Sequence, residues 1–492
     1  MDYYRELLKV DRPERYTTLL GAAVATVATA LFVKSVVNKS KEYKSPGGRE
    51  IPSPKGDYFY LGHLPLLGKR PGLTITKWHQ ELGPIFRIKV GSQNWVFVGD
   101  VEAAHELLVS KGSATAGRPE MTYLTKVHSP VESLSHILDR EAQQVVDIMR
   151  DQAKVNEEVD PHLFTRLAGM NLMLAIAYGV PGAKSVEEPD FKKVEYFSTM
   201  AMRFSSPSED FSVIFPSLKF LDVILRKEKR MIDFRDKEFF PYVRNTIKLA
   251  RESKEDSLVK KMDEIRKEYG SRKVGETLTA GTDTTSVGTA WAIGILCHHP
   301  EVQKKLCDEI DAFIRKHGRQ PAFSDREELP YFIAFEKECL RFRAPTDLGL
   351  PHKVLKDVVY KDYIIPKGHI IYVNVHTLHN DPQVFPEPEK FMPERFLNDT
   401  RSMYASSNGA IQNRDHFAFG WGRRICPGIY LAESQIFHLL TKILATSTIE
   451  PAISSTGEKI YPDLDNVIDT GITVGPVPFK IRLVERMDRV LA

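Results

Sequence analysis

The 492-residue sequence contains only four cysteines, Cys297, Cys307, Cys339 and Cys426. So few exclude a secreted disulfide scaffold. No CxxC or Cys/His pair has zinc-binding spacing. A basic excess is equally absent. Sixty-eight Lys and Arg stand against 65 Asp and Glu, a net charge of +3. Nothing therefore marks a nucleic-acid-binding surface. There is no internal repeat and no low-complexity tract. With 42% hydrophobic and 27% charged residues, the chain is neither disordered nor collagen-like.

Charge is also missing locally. Tyr16 to Val33 are eighteen uncharged residues, bracketed by Arg15 and Lys34. As a helix they would be about 27 Å long, near the hydrocarbon thickness of a thin bilayer. A cleaved signal peptide or a buried helix would also fit. Asp2, Glu6, Asp11 and Glu14 spoil the positive n-region of a signal peptide. A membrane anchor over 16–37 is the expectation, after a short 1–15 segment and before a basic linker, 38–50. Four Lys/Arg precede the apolar stretch and five follow it, so the charge bias sets orientation only slightly.

The remainder, 51–492, reads as mainly α with a smaller β-rich subdomain near 51–115 and 352–385. Ile85–Val90 and Trp95–Val98 alternate around Gly91-Ser92-Gln93-Asn94, a hairpin pattern. Val101–Lys111 predicts a short helix. From about Val131 to Phe240 the period is helical, with Leu138, Ala142, Val145 and Met149 on one face. Val274–His298 and Leu329–Phe342 predict two further helices. Val358–Tyr360 and Ile370–Asn374 predict strands, Arg401–Asp415 a polar loop, and the segment after Gly428 a helix. The chain ends in β-like pieces around Ile472–Leu483.

Cys426 lies in Phe419-Gly420-Trp421-Gly422-Arg423-Arg424-Ile425-Cys426-Pro427-Gly428. The following helix points its N-terminus, with unpaired N–H groups, at the sulfur, which favours a thiolate. Gly422 and Gly428 permit tight turns and close approach of a flat ligand. Arg424 suits a carboxylate. A thiolate so held is the proximal ligand expected for an oxygen-cleaving haem.

A second motif, Ala280-Gly281-Thr282-Asp283-Thr284-Thr285, sits inside a helix. Adjacent Thr hydroxyls and an Asp are poor helix-interior choices. They mark either a kink or an acid beside an alcohol that relays protons into a dry pocket. In a third, Glu338 and Arg341 share a helix face at i,i+3. Alone the pair is an ordinary solvated one. With Arg395 from Pro393-Glu394-Arg395-Phe396 it would form an internal brace.

In this order the three motifs resemble the cytochrome P450 haem-thiolate monooxygenases. The segment Leu348–Phe396, with Ile365-Pro366-Lys367-Gly368, is similar to the microsomal fungal type. The resemblance covers roughly Ile51 to Arg482. It implies haem b with Cys426 as metal ligand, Phe419 against the sulfur, and Arg424 and His352 on the propionates. Asp283 and Thr284 would deliver protons for oxygen activation, and Ala280 and Gly281 would leave room for oxygen. Glu338, Arg341 and Arg395 match the structural triad. Thr346–Leu350 and the stretch from Gly471 to Thr473 look pocket-lining. The implied partners are a hydrophobic small-molecule substrate, the lipid bilayer, and an NADPH-dependent flavoprotein reductase through which NADPH acts indirectly; Arg423 would contribute to reductase docking. No nucleic acid is implied. The implied place is the endoplasmic reticulum membrane, with the catalytic domain cytosolic.

The sequence departs from that family at one place. Members carry a helix of the pattern WxxxR whose Trp and Arg bind a propionate. Here the tryptophans are Trp78, Trp95, Trp291 and Trp421, and none fits. Only residues 119–130 separate Arg118 from Val131. Ser271–Glu276 also leads quickly into Ala280. The alternative to an active monooxygenase is therefore an inactive or haem-poor protein of the same fold.

Overall fold

The computed structural model describes residues 49–118, 135–205, 214–215, 227–265, 273–470 and 472–490. The expected anchor, 16–37, and the shortened tract after Arg118 lie outside them. Among the described residues no helix is long and apolar enough to cross a membrane.

The longer helices are α1 (Pro71–Leu82), α2 (Ser135–Asn156), α3 (Pro161–Met173), α4 (Pro189–Ser205), α5 (Phe240–Glu252), α6 (Lys273–His298), α7 (Pro300–His317), α8 (Pro330–Phe342) and α9 (Ile429–Thr446). Punctuation in the sequence explains several ends. Asp160 caps α3 by accepting from the His162 N–H at 2.9 Å, with Pro161 in the first turn. Pro300 forces α6 to stop and opens α7, which ends at Gly318 with φ +65°.

Apart from α1, whose Ile75 packs with the sheet, these helices share one large apolar core. Leu138, Ala142, Val145 and Met149 of α2 are all buried, as their spacing predicts. Ile293 and Leu296 of α6 meet Phe332 and Phe335 of α8 and Phe437 and Leu440 of α9 in that core. α6 crosses α3 at close range because Gly169 has no side chain: a Cβ there would stand 2.9 Å from the Thr282 carbonyl oxygen. Trp291, fully buried, donates its indole N–H to Val474 O at 3.0 Å, which satisfies its one polar atom.

The β part begins with β1 (Ile85–Val90) and β2 (Gln93–Val98). Their turn is only Gly91-Ser92, tighter than the four residues expected. Gly91 takes φ +58°, so Gln93 and Asn94 can pair into the strand. His352–Lys353 (β3), Val358–Tyr360 (β4), Tyr363–Ile365 (β5) and Ile370–Val373 (β6) follow. β2 pairs in parallel with β6, and β6 antiparallel with β3, giving a four-stranded sheet ordered β1-β2-β6-β3. β5 is absent from the sequence reading because it is three residues long and hidden beside the Pro366–Gly368 turn. Ser447–Ile453 (β7) is absent too, because Pro451 disguises it. It pairs with Lys459–Ile460 (β8) and, antiparallel, with Ile481–Glu485 (β11). Val467–Asp469 (β9) and Val474–Pro476 (β10) form a hairpin beside α6. The 401–415 loop holds a one-turn helix, Met403–Ser407, capped by the Ser402 hydroxyl.

Candidate active site

Cys426 sits on the loop between Phe419 and the start of α9. Its backbone N–H donates to Phe419 O at 2.9 Å, which fixes the loop's width. Its thiol accepts from the Gly428 N–H, but burial is the larger influence and pushes the thiol pKa up. The single N–H therefore does not by itself make the thiolate the sequence argument expected. A cation bound at the sulfur is what would deprotonate it. Gly422 takes φ +52°, and a Cβ on it would stand 2.5 Å from Leu108 O. Its bareness serves the packing of the loop on the 106–110 turn. Gly428 has φ −94°, and a Cβ there would touch the sulfur at an ordinary 3.8 Å.

Phe419, Ala418, Ile425 and Cys426 pack on Leu340, Met403 and Ile429. Leu340 belongs to α8, so the helix that carries Glu338 and Arg341 also supports the cysteine loop. It also reaches α6, where the bare Gly288 faces Leu340 and Pro345. Ala280, Thr284 and Gly288 recur every four residues and share one face of α6. Ala280 is exposed and Thr284 half-buried, so the N-terminal part of this face lines open space.

Asp283 and Thr284 are not together. Neighbours on a helix point about 100° apart. The Thr284 hydroxyl donates back to Ala280 O at 2.9 Å. Asp283 turns the other way and is buried. Its carboxylate accepts from Arg166 of α3 at 3.2 Å and from the Thr473 hydroxyl at 3.0 Å. Arg166 also pairs with Glu195 of α4 at 3.0 Å. Gly281 makes room for Met173 of α3, whose sulfur would be 2.6 Å from a Cβ.

The structure brings Glu338, Arg341 and Arg395 together. Arg341 grips the Glu338 carboxylate with two bonds, 2.9 and 2.6 Å, and Arg395 adds a third at 3.3 Å. Arg341 also donates to Pro388 O at 2.7 Å and Lys390 O at 3.1 Å. Glu338 and Arg341 are almost completely buried. The trio braces the 379–396 segment against α8.

Arg424 donates through Nε to Ala116 O at 2.9 Å. His352 on β3 is buried and lies against Thr115 O at 3.2 Å. That carbonyl can only accept, so Nδ1 carries the proton. Burial, then the Arg118 charge, holds the imidazole down to about 3. It is neutral at neutral pH, and Nε2 is an acceptor there, so it grips a carboxylate only when a carboxylate beside it raises its pKa.

A Cytochrome P450 family model matches residues 52–130 and 121–481. The chain belongs to this family. The match falls into two pieces, and the break coincides with the shortened tract after Arg118. Curated relatives are fungal cytochrome P450 monooxygenases. One from Armillaria gallica is 30% identical, covering 96% of this chain and 96% of its own. One from Postia placenta is 27% identical, covering 96% and 95%. That alignment runs over 553 positions, more than the whole chain, so the relative carries residues with no counterpart here. A third, from Hypocrea virens, is 27% identical over 94% of this chain and 89% of its own.

The protein is thus an oxidoreductase of the cytochrome P450 monooxygenase type, and the family implies a haem iron. The donor set fits one: a thiol on a bare-glycine loop, apolar Phe419 and Leu340 around it, and cations at Arg424 and Arg118 for acidic arms. Three residues escaped the sequence reading: Arg118, Arg166 and Glu195. No motif flags them. Arg166 meets Asp283 across 117 positions of chain, and such a pairing leaves no local signature.

Proposed function

We propose that this cytochrome P450 is an active, membrane-anchored monooxygenase of a hydrophobic small molecule, supplied with electrons by an NADPH-dependent flavoprotein reductase. One observation carries the reading. The Cys426 loop packs on Leu340, and Gly288, on the same face of α6 as exposed Ala280 and half-buried Thr284, faces Leu340 too, so the thiol and that helix are held on one framework.

Haem bound there supplies dioxygen activation, so that one oxygen atom enters a C–H or C=C bond and the other leaves as water. The chain's residues do the rest. Cys426 would hold the iron. Phe419 and Leu340 keep water from the sulfur. Arg424 takes carboxylate charge by charge-assisted hydrogen bonds. Thr284 offers a hydroxyl oxygen that accepts a proton donor while its own hydrogen is held by Ala280 O. Asp283 holds its proton-exchanging carboxylate in reserve against Arg166 and Thr473, and must leave one of them to serve Thr284. Apolar walls select a hydrophobic substrate.

The uncharged 16–33 stretch supports an anchor in the endoplasmic reticulum membrane with the catalytic domain cytosolic. Fractionation of full-length and 38–492 chains tests it: only the former should sediment with microsomes. The catalytic reading is tested by the spectrum of the reduced, carbon monoxide-treated protein. The red-shifted Soret band of a thiolate-ligated carbonyl is expected. Haem without that band, or no haem, would favour the inactive alternative.

A further inference from the structure

α8 and α9 meet along an antiparallel seam that is apolar on either side of one polar pair. Phe332 meets Phe437, with ring centroids 5.1 Å apart. Leu340 and Ile429 share the apolar cluster that Cys426 packs on. Glu336 lies four residues from both Phe332 and Leu340, and Glu433 lies four residues from both Phe437 and Ile429. Four residues are about one helical turn. The register therefore sets Glu336 opposite Glu433, with an apolar pair one turn to each side.

Both carboxyls are inside the protein, 2% and 1% exposed. They are not equivalent. Glu433 accepts from the Met403 N–H at 3.1 Å, which favours its charged form. Oε1 of Glu336 is buried and has no hydrogen-bond partner among the described residues. The nearby cations do not supply one. Lys337 is held by Asp399 and Asp415, at 3.5 and 3.4 Å, and Asp415 also lies beside His416. Arg326 lies over the Phe323 ring, and its buried Nε donates to no described residue. Burial and then the facing Glu433 push the Glu336 pKa well up, against the pull of Arg326 and Lys337, and burial pushes Glu433 up to about 7. Two carboxylates facing each other out of water do not both ionise, and a proton between them removes the repulsion.

We propose that Glu336 and Glu433 form a proton-dependent latch: Glu336 stays protonated at neutral pH and donates to Glu433, Glu433 holds the Met403 N–H, and loss of the proton to solvent frees the Met403–Ser407 turn from the packing around Cys426. Met403 packs on Leu340 and Ile429 in that cluster, so the latch secures the support of the cysteine loop. It stands on α8, α9 and the Met403 turn alone, and holds whether or not the haem-thiolate reading does. The sign of its pH response follows from counting protons. Opened to water, Glu336 returns to about 4.3 and releases its proton. The latch is therefore most secure below about pH 4.3, and opening becomes about tenfold easier per pH unit as pH rises toward the folded value.

Amide hydrogen exchange of the full chain reads opening at Met403–Ser407. At each pH the wild type is compared with Glu336→Gln, whose amide donates to Glu433 at every pH. The ratio of the two rates cancels the intrinsic pH dependence of exchange and the contribution of the buried histidines. From about pH 5 to about pH 8 that ratio is expected to rise about tenfold per pH unit, while the exposed control Glu458→Gln follows the wild type. Near neutral pH the wild type should also show the infrared C=O band of a protonated carboxylic acid that Glu336→Gln lacks. A ratio independent of pH would overturn the proposal, and so would the same acid band in both chains. Should Glu336→Gln fail to fold, Glu336→Leu, which continues the apolar seam, replaces it with the same expected outcomes.

Discussion

Arg166 of α3 and Asp283 of α6 form a 3.2 Å salt bridge, and Thr473, on the turn between β9 and β10, closes it from the other side at 3.0 Å. Three elements far apart in sequence thus determine the rest position of the one acid in the helix motif. The carboxylate is stored, not presented. Its availability depends on how readily the bridge opens.

Replacing that acid separates storage from structure. Asp283→Asn keeps the hydrogen-bonding shape and leaves Arg166 with Glu195. Product formation by the reductase-supported enzyme is expected to fall about 10²-fold, with a larger solvent isotope effect and an unchanged carbonyl spectrum. Turnover at the wild-type rate would mean the proton takes another route. Arg166→Leu should instead cost about 3 kcal/mol of stability, because it leaves a buried carboxylate unpaired; urea unfolding reads it.

The thiols give a second test. Cys297, Cys307 and Cys339 are buried, and Cys426 is partly open. Burial pushes the Cys297 and Cys307 pKa values up to about 12 and 11 and that of Cys339 well above its usual range. In the haem-free protein Cys426 is expected to react with an aromatic disulfide reagent slowly, yet faster than the three buried thiols, and none should react once haem is bound. Cys426→Ala should abolish both the faster thiol and the thiolate carbonyl band. Four reactive thiols in the folded protein would contradict the burial pattern.

The brace should behave as an all-or-none unit. Arg341→Leu leaves the fully buried Glu338 carboxylate with Arg395 as its one cation, beside the Met392 N–H, and is expected to cost about 3–5 kcal/mol. The exposed Lys304–Asp308 pair, although 2.6 Å long, should hardly move the unfolding midpoint when Asp308 is changed to Asn. Similar small shifts for both pairs would refute the difference.

Acid should unfold the protein through its histidines. Burial holds His79, His369 and His416 down to about 4, and His352 to about 3. Unfolded, each returns to about 6.5 and binds protons that the native state does not. Stability is therefore fully present above about pH 6.5 and falls as pH drops toward 4. Each histidine fully linked in that window contributes about 1.4 kcal/mol per pH unit. Melting temperature against pH should decline most steeply there. A flat profile from pH 6.5 to 4 would rule the linkage out.

The helical core, the hairpin at 85–98, α6, α8, α9 and the Cys426 loop were legible in the sequence. Each is written in local signals: an apolar period, a glycine, a proline, a run of small residues. β5 and β7 were not, because short strands and a strand containing Pro451 take their identity from partners elsewhere. The Glu338 and Arg341 pair is visible at i,i+3, but its burial and its grip on Arg395 and the Pro388 carbonyl depend on the whole 379–396 segment folding back.

The sequence by itself determined the family, the cysteine loop and the helix that carries Ala280 and Thr284, because these depend on residues a few positions apart. Only the tertiary structure decided that Asp283 faces Arg166 and not Thr284, that Gly281 and Gly422 serve packing, and that Arg118 joins Arg424 and His352. Those outcomes turn on which side of a helix meets which neighbour, and on where burial gathers charge. Neither is encoded in spacing along the chain.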